Sequence, residues 1–201
     1  IYHLSKENTW TSVSWSKVEK TIETLQHRIT KATERGDYRT VRNLQRLLNR
    51  SLSARLKAVQ IVAQENSGKK TPGIDGEIWT TSERKHQAAL ELRKRSKTKP
   101  LKKVSNGNQR SLDIPCMSDR ARQALWNMAL LPSVEAISDR HSYGFRSYHE
   151  CWHVNAQIRH FLEKPTSPTW ILNAEIEKGF DTINHDWLLK NTPMEKKVLK
   201  S

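Results

Sequence analysis

Apolar residues at a helical period constrain the first third of this chain more than any other feature. From Ser14 onward, Trp15, Val18, Ile22, Leu25 and Ile29 recur every three or four residues, the spacing that lines up one face of an α-helix. The run gives out near Gly36, where Gly36-Asp37 supplies a turn and an N-cap. A second, longer stripe follows through Val41, Leu44, Leu48, Leu52, Leu56 and Val59. Two helices with such faces must hide them from water, so the spacing predicts a helical hairpin. The opposite face of the second helix carries Arg39, Arg42, Arg46, Arg50, Arg55 and Lys57, and no acid falls between the first and the last of these. Ion pairing along the helix therefore cannot offset the charge. Cations at helical spacing reach successive phosphates, and guanidinium forks match phosphate oxygens in pairs. These six residues are expected to contact RNA.

The charge of the whole chain agrees. Its 201 residues carry 35 Lys and Arg against 21 Asp and Glu, a net charge of +14. Such an excess predicts a polyanionic partner, bound largely through release of counterions. No apolar run approaches the roughly 20 residues that a membrane-spanning helix needs, so structured nucleic acid is the expected partner rather than a membrane. Two cysteines, Cys116 and Cys151, suggest no disulfide framework, and no signal peptide is visible at Ile1-Tyr2-His3-Leu4. The expectation is a reducing compartment, the cytoplasm of a bacterium or the interior of an organelle, and not secretion.

The rest of the chain alternates basic loops with short periodic segments. Asn66 to Gly76 is a turn-rich connector, and Arg84 to Lys103 is dense in Lys and Arg. Ser105-Asn106-Gly107-Asn108 predicts a hairpin turn, with Arg110 to Pro115 alternating as a strand behind it. A helix is expected from a cap near Ser118 to a stop at Pro132. His149, Cys151 and His153 alternate as ligands on a strand could, with Cys116 or His141 as a fourth, but the spacing fits no zinc pattern. Thr169 to Ile176 is an apolar, β-branched run after Pro165 and Pro168, read as a buried strand. It ends on Glu175, and a Gly-Phe-Asp turn at 179–181 leads into a short helix with Ile183, Trp187 and Leu188. A strand that delivers a carboxylate beside such a turn can hold a divalent metal rigidly, and it can equally be a core strand ending in solvated acids.

Several of these segments resemble group II intron reverse transcriptases. The pattern from Trp170 to His185 is similar to the first palm motif of that family, Pro72-Gly73-Ile74-Asp75-Gly76 to its fingers-opening sequence, and Asp119-Arg120-Ala121 with Gln123-Ala124-Leu125 to a fingers helix. Ser142-Tyr143-Gly144-Phe145-Arg146 resembles the fingers–palm junction, and Arg42 to Gln45 and Gln64 to Asn66 resemble the RNA-binding amino-terminal extension. The resemblance implies a magnesium-binding carboxylate at Glu175, a sugar gate at Phe180 and a triphosphate contact at Arg110. Glu175 stands where the family has Asp. The extra methylene shifts the carboxylate by roughly one bond length, a large error for ions held about 3.5–4 Å apart, so magnesium binding and catalysis are expected to be weakened. Asp113 and Ser111 replace Gly and Pro beside Arg110, and the chain contains no Asp-Asp pair of the kind that completes the family's two-metal clamp.

The expected fold is α+β: a mostly helical amino-terminal extension over 1–66, a fingers-like region over 67–168, and the first strand of a palm over 169–201, an incomplete right-hand polymerase. The expected function is that of the amino-terminal part of a group II intron reverse transcriptase or maturase, inactive as a catalyst alone and bound to intron RNA. A non-enzymatic basic RNA-binding protein, or half of a split reverse transcriptase completed by a second polypeptide, is the alternative.

Overall fold

A computed structural model describes residues 10–94, 96–105, 111–147 and 149–199. Arg110 and the turn at Asn106-Gly107 lie outside the described residues. Packing groups the chain into two compact units, one of the residues up to 136 together with those from 193 on, the other of residues 137–192.

The first unit begins as the periodicity predicts. Helix α1 (Trp15–Glu34) buries Val18, Ile22, Leu25 and Ile29. Gly36 ends it in the left-handed region at φ +70°. Its N–H donates to the Thr33 carbonyl at 2.9 Å and that of Asp37 to the Ala32 carbonyl at 2.9 Å, the paired bonds that let glycine terminate a helix. Asp37 at once caps the next helix, its Oδ1 accepting from the Thr40 N–H at 3.0 Å.

The single long second helix is corrected to two, α2 (Tyr38–Arg50) and α3 (Leu52–Gln60). Ser51 breaks them at ψ 141°, its hydroxyl accepting from the Ala54 N–H at 3.1 Å. A serine oxygen offers the backbone a cap in place of helix continuation, a local competition that apolar spacing does not register. Leu52 consequently leaves the stripe and is exposed, while Leu48 and Leu56 stay buried.

Beyond a wide turn at Ile61–Glu65, the Pro72 to Gly76 segment passes close to Cys116. A Cβ on Gly73 would stand 2.6 Å from the Cys116 Cα, so only glycine fits. Helix α4 (Ser82–Glu91) is capped by Thr81, whose Oγ1 accepts from the Arg84 N–H at 3.2 Å. Strands β1 (Lys102–Ser105) and β2 (Ser111–Ile114) pair antiparallel with Lys102 opposite Ile114 and Ser105 opposite Ser111.

Helix α5 (Met117–Ile137) does not stop at Pro132 as expected but runs through it. Proline removes the N–H that would donate to the carbonyl four residues back. Here that carbonyl belongs to Met128, and Gln26 of α1 donates to it through Nε2 at 2.9 Å. The side chain of one helix supplies the bond that the other cannot make. Residues 193–195 return to the same core, with Met194 buried and the Pro193 carbonyl accepting from Gln45 Nε2 at 2.8 Å.

The second unit holds α6 (Cys151–Leu162) and α7 (His185–Asn191). The expected buried strand over 169–176 is corrected: the segment is irregular, and none of the described residues from 137 to 192 is buried. A strand exists only when a neighbour takes its N–H and C=O groups, and among the described residues none pairs with this one. Trp170 and Leu172 are 92% and 91% exposed. No helix among the described residues is long and apolar enough to cross a membrane.

Candidate nucleic-acid interface

The α2 cations sit where the apolar stripe puts them. Val41, Leu44 and Leu48 are buried on the inner face, and Arg39, Arg42 and Arg50 are exposed on the outer one. Arg46 is half-buried. It donates to Asn43 Oδ1 at 3.2 Å and pairs with Glu195 at 3.4 Å. Its charge is therefore partly answered from within the protein.

Arg55 and Lys57 differ from the expectation of a shared cationic face, because the break at Ser51 turns α3 away from the line of α2. Arg55 is only 7% exposed. Its Nη1 donates to the Ala89 carbonyl at 2.9 Å and to the Leu90 carbonyl at 3.4 Å, and its Nε to the Ser51 carbonyl at 3.3 Å. The guanidinium thus closes the end of α4, where carbonyls lack helical partners. Burial, with the Arg93 guanidinium nearby, pushes its pKa below the ordinary arginine value. Lys57 lies against Glu65 at 3.0 Å and Glu19 at 3.3 Å. Burial works against its charge, but the two carboxylates outweigh it and hold the ammonium above its usual pKa.

Cations from beyond the helical stripe join two of its members to complete the surface. Arg46 and Arg50 of α2, Arg93 and Lys94 after α4, and Arg122 of α5 line one open cavity of about 490 Å³, with Glu195 as its carboxylate. Arg122 donates to Asp119 at 3.3 Å. The run Arg93-Lys94 was visible as charge, but which face it joins depends on how α4 packs on α3.

The motif residues between Pro72 and Leu125 make architectural contacts. The buried Asp119 carboxylate accepts from the Lys99 N–H at 3.1 Å. Arg120 donates to the Pro115 carbonyl at 3.1 Å, the Gly68 carbonyl at 2.9 Å and the Thr71 carbonyl. One arginine thereby fixes the connector before Pro72 to the start of α5. Asp75 pairs with Lys99 at 2.9 Å. Burial raises its pKa, but Lys99, the Cys116 thiol and the Glu77 N–H together outweigh that and hold the carboxyl below its usual range.

In the second unit, Glu175 and Phe180 are exposed, Phe180 at 83%. Among the described residues no three His, Cys, Asp or Glu groups gather closely enough to hold a metal ion. Magnesium is commonly held by one or two carboxylates with waters and substrate phosphates completing its shell, and among the described residues Glu175 is an exposed carboxylate outside any such cluster. His149, Cys151 and His153 are not on a strand as the spacing suggested. Cys151 and His153 lie on the first turn of α6, where residues two apart face different ways, and His153 Nδ1 accepts from the Glu150 N–H at 3.0 Å as part of a capping box.

Comparison with known proteins covers nearly the whole chain. Residues 10–92 match the family described as the N-terminal domain of reverse transcriptase, and residues 93–197 match reverse transcriptase (RNA-dependent DNA polymerase). The chain belongs to the reverse transcriptase family. Among its relatives, Maturase-like protein 1 of Euglena gracilis is 29% identical over 199 residues, covering 94% of this chain and 43% of the relative. Protein YkfC of Escherichia coli K12 is 28% identical over 141 residues, 64% of this chain and 37% of the relative. A putative COX1/OXI3 intron 1 protein of Saccharomyces cerevisiae is 28% identical over 98 residues, 47% of this chain and 11% of the relative. This reverse transcriptase chain thus spans less than half the length of each. The maturase and intron-protein relatives agree with the group II intron resemblance of its motifs, and the match over residues 10–92 is to the N-terminal domain of reverse transcriptase.

Proposed function

We propose that the first unit binds structured intron RNA, serving as the RNA-anchoring part of a group II intron reverse transcriptase or maturase. The observation that carries this reading is the acid-free α2 stripe, with Arg39, Arg42 and Arg50 exposed opposite a buried Val41, Leu44 and Leu48 face. Reversing Arg39 and Arg42 to Glu should lower affinity for a stem–loop RNA by about tenfold or more, the loss of two charge-assisted phosphate contacts. Lys17→Glu with Lys20→Glu, on α1, should cost far less. Equal losses in the two pairs would refute a specific α2 interface.

A second reading rests on the exposed apolar run of the second unit. Trp170, Ile171, Leu172 and Ile176 carry the residue types of a buried strand and have no cover. In this reading a second polypeptide pairs with 169–176 to complete the palm, Glu175 and Phe180 then take the family's metal-facing and sugar-gate positions, and Arg110 contacts the triphosphate. Among the described residues no cluster of metal-ligating groups gathers at Glu175, so no catalytic step is assigned to this chain alone. Primer extension with magnesium should fail for this chain and appear when a palm and thumb polypeptide is added. Extension by this chain alone, abolished in Glu175→Ala, would overturn the assignment.

A further inference from the structure

A cavity of about 500 Å³ beside the α2 stripe is lined by Arg50, Arg55 and Arg93. The three come from different places in the chain: Arg50 ends α2, Arg55 lies in α3, and Arg93 follows α4. Among the described residues no carboxylate lines this cavity, whereas its neighbour, which shares Arg50 and Arg93, includes Glu195.

Part of this clustering has a purely structural cause. Arg55 serves the α4 carbonyls, and cations are favoured at helix C-termini. That accounts for Arg55 and leaves the other two. Arg50 and Arg93 are exposed and stand beside an already buried guanidinium. Like charges gathered around one space repel, the more so where one of them, Arg55, is buried. Among the described residues the bonds of Arg55 to Ser51, Ala89 and Leu90 run from Nε and Nη1, so they leave a guanidinium edge at Nη2. Three guanidinium groups around one space suit a tetrahedral oxyanion, since each fork can meet two oxygens.

We propose that Arg50, Arg55 and Arg93 form a seat for one backbone phosphate of bound RNA, a fixed point that sets the register of the strand running along α2. Arg55 is the rigid floor, held by backbone carbonyls, and Arg50 and Arg93 close over the phosphate from two sides. The seat deepens the RNA-binding reading and rests on it.

The test uses the whole chain, a stem–loop RNA transcript, and the variants Arg93→Gln and Arg50→Gln, with Lys20→Gln as a charge-matched control on α1. Arg55 is avoided because its loss would damage α4. Arg93→Gln and Arg50→Gln should each lower affinity by about tenfold and reduce the slope of log affinity against log salt by about 0.7–0.9, one phosphate's share. Ethylation of single RNA phosphates should reveal one position whose neutralisation blocks binding to the native chain and no longer matters to Arg93→Gln. If native chain binds RNA but Arg93→Gln behaves as Lys20→Gln and no single phosphate stands out, the seat is wrong and the α2 interface survives. If the native chain does not bind RNA, both fall together. Melting curves of each variant confirm that the fold is kept, since Arg50 and Arg93 are exposed.

Discussion

Asp75 shows how one side chain of this protein is tied to its surroundings. Its carboxylate accepts from the Glu77 N–H at 3.2 Å and pairs with Lys99 at 2.9 Å, two residues that belong to different loops. Because Lys99, the Cys116 thiol and the Glu77 N–H hold its folded pKa below the ordinary aspartate value of 3.8, the pairing contributes stability above that value and loses it as pH falls through the lower folded pKa. Stability should therefore decline in the acid range below about pH 3.8, and Asp75→Asn should be less stable at neutral pH with a flatter acid profile. Chemical denaturation at pH 7 and pH 3 checks this, and an unchanged acid slope in the variant would contradict it. The same residue lies in the Pro72 to Gly76 motif, where glycine at 73 is required by the close Cys116 backbone. Motif residues that suggested function by resemblance are, in this half of the chain, holding loops together.

At the scale of elements, the most specific device is the bond from Gln26 to the carbonyl opposite Pro132. Gln26→Leu should destabilise the first unit by about 1–3 kcal/mol, the cost of a buried carbonyl left without a partner. In a Pro132→Ala background the restored N–H can donate to Met128, so the same change should cost markedly less. A double-mutant cycle by thermal or denaturant unfolding measures the difference, and strict additivity would count against the account. Much of this level was legible in the sequence. The α1 face, its end at Gly36, the Asp37 cap and strand β2 followed from spacing and turn chemistry. The break at Ser51 was not, because Ser51 decides between helix and cap through one hydroxyl while Leu48, Leu52 and Leu56 keep their period across it. Continuation through Pro132 depended on Gln26, about a hundred residues away in the chain. The strand over 169–176 has the right residues but forms only with a pairing neighbour, which no single segment can specify.

At the scale of the whole molecule, the chain carries a net charge of +14, and its arginines and lysines divide between those answered inside the fold and those left facing outward. Arg55, Lys57 and Arg120 are spent inside the fold on carbonyls and carboxylates. Arg39, Arg42 and Arg50, joined by Arg93 and Lys94, face outward beside the cavities that α2, α4 and α5 enclose. The candidate site was thus half visible in the sequence: the α2 stripe followed from helical period, whereas its partners after α4 required the packing of α3 on α4. In the second unit Glu175 and Phe180, the residues that the family resemblance singles out, are exposed. The account stands or falls on RNA binding by the first unit. Affinity of the whole chain for a stem–loop RNA, measured across a series of salt concentrations, should fall along a line of slope about −3, as four phosphates neutralised at about 0.7–0.9 each require. A shallow slope near zero, or no binding at low salt, would contradict the claim that this arginine surface is an RNA interface.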